Sequence, residues 1–112
     1  MAKFSNRQSV AAGAVVENIL TGSQWEIAPY DAKYEYAIIT DATTGEVEAD
    51  VYSGQDVLME RGQIGGPNRS PIYPEDFTLV DAVAAGERVK VRVRNTGAGA
   101  HVVWTDVVIT PL

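Results

Sequence analysis

The chain has 112 residues, 46% of them hydrophobic and 21% charged, which is the composition of a single globular domain. It has no cysteine and one histidine, which excludes disulfides, thiolate zinc sites and metal sites that need several histidines. Its net charge of −6 disfavours contact with phosphate backbones, and no apolar run approaches the ~20 residues of a membrane-spanning helix, so we expect neither a nucleic-acid nor a membrane partner.

The residue types favour strands over helices. Valine and isoleucine together number 22, whereas leucine numbers 4. Branching at Cβ restricts the first side-chain torsion and suits a pleated sheet, while helices favour leucine and unbranched side chains. We therefore expect an all-β domain.

The first eight residues are polar and basic, which predicts an N-terminal arm in front of a domain of residues 9–112. Lys3 and Arg7 supply its charge, and Phe4 is its candidate apolar anchor. If residues 1–8 are such an arm, a chain that lacks them folds normally but loses its attachment to a partner.

The strands predicted after the arm are short and separated by turns. Residues 8–20 are expected to be extended, although their alanines also permit a helix, and a turn leads to a short strand over residues 24–28. Further strands are predicted at residues 34–41, 46–53, 55–60 and 76–83.

The clearest alternation lies at residues 87–94, where Val89, Val91 and Val93 are separated by cations. Side chains two residues apart share one face of a strand, so these valines are expected in the core. Residues 100–110 carry apolar groups on both faces, which predicts a strand buried on two sides or at a subunit contact. A glycine-containing loop of about five residues joins the two segments, which predicts an antiparallel hairpin.

Together these segments predict an antiparallel β-sandwich or jelly roll of about eight short strands. One long irregular stretch interrupts them at residues 61–75, with three glycines and three prolines. Loops of that length in compact domains are often binding elements, so we expect this one to contact a partner.

Two rows of opposite charge have the two-residue spacing of a strand face. The acidic row is Glu46, Glu48 and Asp50, and the basic row is Arg88, Lys90, Arg92 and Arg94. Rows that lie opposite each other would stabilise the sheet by cross-strand pairs, whereas rows on opposite edges would select neighbours in an assembly. The basic row also fits a solvated strand face or a track for phosphates, and the sequence leaves these alternatives open.

No motif groups residues for catalysis or cofactor binding. His101 has no companion motif of a Ser-His-Asp triad and is expected in a loop or at a strand end. Neither a calcium loop nor a phosphate loop is present. We therefore expect no enzymatic activity, no cofactor and no metal.

The chain opens with a short basic arm and an Ala/Val-rich strand, continues to the strand of residues 85–96, and ends its last apolar strand at Ile109-Thr110-Pro111-Leu112. This order resembles the small β-sandwich virion proteins of tailed bacteriophages, in particular capsid decoration (cement) proteins. The resemblance implies a homo-oligomer, with a trimer favoured, that binds the major capsid protein and holds neighbouring capsomers together. It also implies a location on the virion surface after synthesis in the host cytoplasm.

The arm and the irregular loop supply the candidate contacts with such a shell, and several weak contacts per oligomer would combine into firm attachment. These candidates are Lys3, Phe4, Arg7, Ile64, Arg69, Ile72 and Tyr73.

An alternative function is a carbohydrate- or receptor-binding β-sandwich, such as a head fibre or a binding module. Aromatic rings stack on the apolar faces of sugars, and the candidates for such a platform are Trp25, Tyr30, Tyr34, Tyr36, Tyr52 and Tyr73. Core packing explains the same alternation of aromatic residues within strands. A third possibility is a subunit whose partner carries the chemistry.

Overall fold

Eight β-strands make up most of the described part of the chain, which is residues 2–41, 45–66 and 69–112 of a computed structural model. The strands are β1 (Ala2–Val10), β2 (Val15–Val16), β3 (Ala32–Thr40), β4 (Val47–Ser53), β5 (Asp56–Ile64), β6 (Leu79–Val83), β7 (Val89–Asn95) and β8 (His101–Pro111). These residues contain no helix, and hence none long and apolar enough to cross a membrane.

The strands form two four-stranded antiparallel sheets. The first sheet has the strand order β1-β8-β3-β6, and the second has the order β2-β7-β4-β5. Most successive strands lie in alternate sheets, and the resulting order is that of a jelly roll. The predicted all-β sandwich of about eight strands is confirmed.

The main core lies between the sheets and follows from the alternation of side chains along each strand. In β7, Val89, Val91 and Val93 are completely buried, while Lys90 and Arg92 between them are partly exposed. Burying one such valine contributes about 1.5–3 kcal/mol, so the alternation fixes which face of β7 turns inward.

The N-terminal segment belongs to the first sheet and is not the separate arm that the sequence predicted. β1 pairs with β8 along its entire length. Phe4 lies opposite Val107 and packs against the main core, while Lys3 and Arg7 belong to the exposed row of the same strand. The alternation of exposed polar and partly buried residues along β1 is that of an edge strand with one face in solvent. Removal of residues 1–8 would strip this strand from β8, so it would not separate attachment from folding.

β7 and β8 do not form the hairpin that was predicted. β7 lies between β2 and β4 in the second sheet, whereas β8 lies between β1 and β3 in the first. The loop between them therefore crosses the ~10 Å that separates stacked sheets. Two strand properties favour this arrangement: the cations of β7 lie beside the acids of β4, and β8 is apolar on both faces, as a central strand with a covered outer face requires.

The segment between β1 and β3 contains little regular strand, although the sequence predicted two extended segments there. β2 has two residues, and Ile27 forms only a single bridge to Arg88. The side chain of Asn18 takes the place of a ladder: its Oδ1 accepts from the amide of Val91 at 3.1 Å, and its Nδ2 donates to the carbonyl of Val89 at 3.3 Å. This buried amide fixes the loop to β7 together with backbone hydrogen bonds, such as that from the amide of Ile19 to the carbonyl of Val91 at 2.8 Å.

Candidate functional site

The irregular stretch begins later than predicted, because β5 extends to Ile64, and its second part covers the outer face of the first sheet. We call residues 69–78 the strap. Phe77 of the strap is 7% exposed and forms an apolar cluster with Ala37 and Val108. These two residues alternate with core residues on β3 and β8, so they face away from the main core. The strap therefore closes a second, smaller core.

One carboxylate holds the first half of the strap together. Nη1 of Arg69 donates to Oδ2 of Asp76 at 2.7 Å, and the amide of Ile72 donates to the same oxygen at 2.8 Å. Both hydrogen bonds favour the ionised carboxylate, that of Arg69 more strongly, and they lower the pKa of Asp76. Both ends of this short segment are thereby tied to Asp76.

Tyr73 connects the strap to the sheet beneath it. Its hydroxyl donates to Oε1 of Glu35 at 3.1 Å, and its ring packs edge-on against Phe77 with the centroids 5.2 Å apart. The hydrogen bond to Glu35 raises the pKa of Tyr73. Glu35 is itself buried and also contacts Nζ of Lys33 at 3.6 Å. The strap is thus a fixed surface and not a loose loop.

Three apolar side chains remain exposed on this face. Ile72 is 47% exposed, Tyr73 40% and Val80 49%. Val80 lies opposite Glu35 in the sheet, and Tyr73 binds the same Glu35, so strand and strap residues meet around one carboxylate. We call Ile72, Tyr73 and Val80 the apolar patch. Exposed apolar groups that lie together are typical of an interaction surface.

A groove of about 410 Å³ lies between the strap and β1. Its lining residues are Lys3, Ser5, Asn6, Arg7, Ser70, Pro71, Trp104 and Asp106. The guanidinium of Arg7 lies over the ring of Trp104, 5.6 Å from its centroid, and Nζ of Lys3 lies 3.3 Å from Oδ2 of the buried Asp106. The groove thus combines an aromatic ring with fixed charges of both signs.

Most of the two predicted rows of charge lie on the outer face of the second sheet, on the adjacent strands β4 and β7. Glu46 and Arg88 precede these strands, and Glu46 contacts His101 instead of the basic row. Glu48 lies opposite Arg94, and Asp50 lies opposite Arg92. Oε1 of Glu48 is 3.3 Å from Nη1 of Arg94 and 3.7 Å from Nε of Arg61. We call this set of ion pairs along β4 and β7 the charge ladder.

Asp50 is the buried centre of the charge ladder, with 2% of its surface exposed. One of its carboxylate oxygens contacts Nη2 of Arg94, and the other accepts the amide of Arg61 at 2.6 Å. Arg61 has a φ of 51° and lies where the register between β4 and β5 shifts. Asp50 therefore satisfies the backbone of a β-bulge as well as a cation.

The remaining members of the ladder also have partners. Nε of Arg92 lies 3.4 Å from Oε2 of Glu17, and Nε of Arg88 lies 3.8 Å from Oε2 of Glu26. Nζ of Lys90 lies 5.8 Å from the centroid of the ring of Tyr52. Because the cations of this face have partners within the chain, binding a phosphate backbone here would mean exchanging them.

The structure separates the seven predicted contact residues into two groups. Ile64 is 6% exposed and Phe4 packs against the core, so neither is an exposed contact. Ile64 is buried because β5 continues through Gly62 to the end of the sandwich, past the point where the sequence indicated a loop. The other five, Lys3, Arg7, Arg69, Ile72 and Tyr73, lie in the groove, the strap or the apolar patch.

Two of the aromatic residues considered for a sugar platform are core residues. The hydroxyl of Tyr34 donates to the carbonyl of Trp25 at 3.1 Å, and burial raises its pKa to about 12. The hydroxyl of Tyr36 donates to Oγ of Ser53 at 3.0 Å, and burial raises its pKa as well. The groove instead uses Trp104, which the sequence analysis did not select. The apolar groups on both faces of β8 were the sequence cue for Trp104, because they indicate that the outer face of this strand is also covered.

His101 starts β8 and lies between two carboxylates. Its Nδ1 is 2.9 Å from Oδ1 of Asp41, and its Nε2 contacts Oε2 of Glu46. Desolvation opposes the charged ring, but the hydrogen bonds to Asp41 and Glu46 outweigh it and raise the pKa of His101. Two acceptors facing the two ring nitrogens favour the imidazolium, which has two donors.

The carboxyl groups of Asp56 on β5 and Asp81 on β6 also interact. A hydrogen bond to Asp81 raises the pKa of Asp56, with further contributions from the charge of Asp81 and of Glu87. Asp56 and Asp81 lie on β5 and β6, which are the last strands of the two sheets in the strand order. Within the part of the chain that the structure describes, no group of three or more histidines and acids has a geometry suited to a metal ion.

Comparison with known proteins adds no further assignment. The chain matches no protein-family model, and no curated protein matches it.

Proposed function

We propose that the chain is a structural virion protein, a decoration protein that attaches to the outer surface of a capsid shell and stabilises neighbouring capsomers. The apolar patch is the observation that carries this proposal. Ile72, Tyr73 and Val80 are exposed on one face of a chain whose opposite face is occupied by ion pairs. The partner would be the major capsid protein, and the protein would lie on the virion surface.

The rigidity of the patch supports a role in attachment. The strap is held by the bonds of Asp76, by the Tyr73–Glu35 hydrogen bond and by the buried ring of Phe77. A preformed surface loses little conformational entropy on binding, so a small rigid patch binds more tightly than a flexible patch of the same size. Jelly rolls occur in viral capsid domains and in lectins, which is compatible with this role but does not by itself assign it.

The proposal is tested with shells assembled from the major capsid protein encoded nearest to the gene for this chain. The wild-type protein is expected to co-sediment with these shells, and Ile72→Lys and Val80→Lys are expected to weaken binding by roughly tenfold or more, because each places a charge in an apolar contact. Val57→Lys is the matched control: Val57 is 53% exposed and lies opposite Tyr52 on the outer face of the second sheet. Equal binding by all three variants, or no binding by the wild type, would contradict the proposal.

The groove favours a second candidate function, which is carbohydrate binding. An indole ring with a nearby carboxylate and two cations offers a stacking surface and hydrogen-bond partners for a sugar. Trp25 and Trp104 are the two tryptophans, so a Trp25→Phe variant reports on Trp104 alone. Saturable quenching of its fluorescence by neutral or acidic oligosaccharides would support this function, and an unchanged spectrum would exclude it for the sugars used.

A further inference from the structure

β1 has a free edge along nearly its whole length. On one side it pairs with β8, and no hydrogen bond from any described residue reaches the backbone of residues 2–9 on the other side. Val10 is the first residue of β1 whose backbone has a hydrogen-bond partner on that side, since its carbonyl accepts a hydrogen bond from Nδ2 of Asn95 at 3.0 Å. Alternate residues of such a strand point both backbone groups outward, so β1 presents a row of free donors and acceptors.

The other sheet edges are short or interrupted. β2 has two residues and β6 has five, and β5 carries the bulge at Arg61 with its two register shifts. β1 has nine residues, pairs in continuous register and contains neither proline nor glycine. Proteins protect exposed edges by shortening or bulging the strand or by placing charges on it, and of these β1 has only the cations Lys3 and Arg7 in its exposed row. It is therefore the edge suited to pairing with another strand.

Asn6, at the middle of this strand, has an unmet hydrogen-bonding group. Its Oδ1 is buried and has no hydrogen-bond partner among the described residues. Asn6 lies opposite Thr105 on the face of β1 that turns towards the core. A second β1 that pairs antiparallel about a twofold axis at Asn6 would place the two amides opposite each other, about 4.5–5.5 Å apart at Cβ. Because Oδ1 is buried within its own chain, each amide must turn about its last torsion to reach the other, and after that turn each offers a donor and an acceptor to its copy.

The charges on β1 favour the same register. With Asn6 opposite its own copy, Lys3 lies opposite Ser9 and Arg7 lies opposite Ser5, so no cation opposes a cation. A twofold axis at Ser5 would set Lys3 against Arg7, and an axis at Arg7 would set Arg7 against itself. Like charges directly opposite each other destabilise a strand pair. The Asn6 register also keeps the exposed row on one face and Phe4 on the core side in both copies.

We propose that two copies of this chain pair through β1 about a twofold axis at Asn6, which joins their first sheets into one eight-stranded sheet. The partner is a second copy because the Asn6 register sets no cation of one β1 directly opposite a cation of the other and brings the two unmet amides together. The interface differs from the trimer that the resemblance to decoration proteins implies, and the inference does not depend on the proposed attachment to a shell.

Ser9 offers a matched pair of variants to test the interface. It is exposed and lies opposite Val102 within its own chain, so a charge there has no acid or base across the strand. In the dimer it faces Lys3 of the second copy. Ser9→Glu is expected to strengthen dimerisation and Ser9→Lys to weaken it, with dissociation constants that differ by roughly tenfold because each dimer contains two such pairs.

The measurement is sedimentation equilibrium of the full chain over a wide concentration range, with the wild type expected to reach the mass of two chains. Ala85→Glu and Ala85→Lys are the controls, because Ala85 is exposed in the turn between β6 and β7, away from β1. They repeat the charge changes and should leave the dissociation constant unchanged. The mass of one chain at every concentration, a mass of three chains, or equal effects of the two Ser9 variants would overturn the proposal.

Discussion

The two outer faces of this sandwich are covered in different ways. The second sheet shields its outer face with side chains of its own strands, and the ion pairs of β4 and β7 form a ladder around the buried Asp50. The first sheet cannot do this, because Ala37 and Val108 are apolar on its outer face. It depends instead on a separate segment, the strap, whose Phe77 covers them.

The comparison explains why one face is the better candidate for binding. Charged side chains that pair along neighbouring strands leave few groups for a partner, and exchanging them costs desolvation. A strap covers only part of a sheet, and at its border Ile72, Tyr73 and Val80 stay exposed. Covering by the strap therefore leaves a groove and an apolar patch at its border, whereas the outer face of the second sheet is occupied largely by ion pairs and keeps exposed apolar side chains such as Val57 beside them.

Asp50→Ala is expected to have the largest effect, a loss of about 4 kcal/mol in the free energy of unfolding. It removes the partner of a largely buried Arg94 and leaves the bulge amide of Arg61 without an acceptor. Asp50→Asn keeps an oxygen for that amide and should cost roughly half as much. Urea denaturation measures both. A loss below about 1 kcal/mol for Asp50→Ala would show that the ladder does not stabilise this face.

Phe77→Ala tests the strap and should cost about 3 kcal/mol, since it empties the small cluster with Ala37 and Val108. The loss is expected to be local, with the strap cleaved early in limited proteolysis while the two sheets remain folded. Phe77→Leu keeps most of the apolar volume and serves as the control. Unchanged resistance to proteolysis in Phe77→Ala would mean that the polar ties of Asp76 and Glu35 alone hold the strap.

The strands could be predicted from the sequence because their alternation depends on local pattern. Val89, Val91 and Val93 specify an inward face wherever β7 lies in the fold. The partner of each strand is a different matter, because pairing depends on long-range contacts such as that of Arg94 with Asp50. The predicted hairpin of β7 and β8 was wrong for this reason, since closeness along the chain was the one cue that the sequence supplied.

The candidate site was partly predictable, with the same division between local and distant cues. The irregular loop gave Arg69, Ile72 and Tyr73, all of which lie in the strap. Trp104 and Asp106 were not predicted as groove residues. They line the groove because the strap passes beside β1, and this contact between distant segments has no local sequence cue. Phe4 was mistaken for an anchor because an edge strand and a polar arm have similar compositions.

His101 connects the first sheet to the beginning of β4 in the second, and it makes this end of the molecule sensitive to pH. Its raised folded pKa means that its contribution to stability is complete below the unfolded value of about 6.5 and is lost as pH rises through the folded pKa. Above that pH the neutral ring has one donor for two carboxylates, those of Asp41 and Glu46.

The single histidine makes this measurement direct, since proton NMR follows one imidazole signal through the titration. We expect a midpoint above 6.5, and the free energy of unfolding should fall over the same range in the wild type but not in His101→Gln. The same comparison in an Asp56→Asn background removes a carboxyl group whose pKa is also raised. A midpoint at or below 6.5 would contradict the two-carboxylate clamp.

Arg88→Ala should have the smallest effect, within about 0.5 kcal/mol of the wild type. Its side chain is 67% exposed, its Nε lies 3.8 Å from Oε2 of Glu26, and it immediately precedes β7, outside the buried centre of the ladder. Salt should reduce even this difference, because exposed charges are screened at high ionic strength. Comparison with Asp50→Ala in the same denaturation series then shows how stabilisation is distributed along the face. If the loss for Arg88→Ala approached that for Asp50→Ala, the ladder would act as one cooperative network, and its exposed end would matter as much as its buried centre.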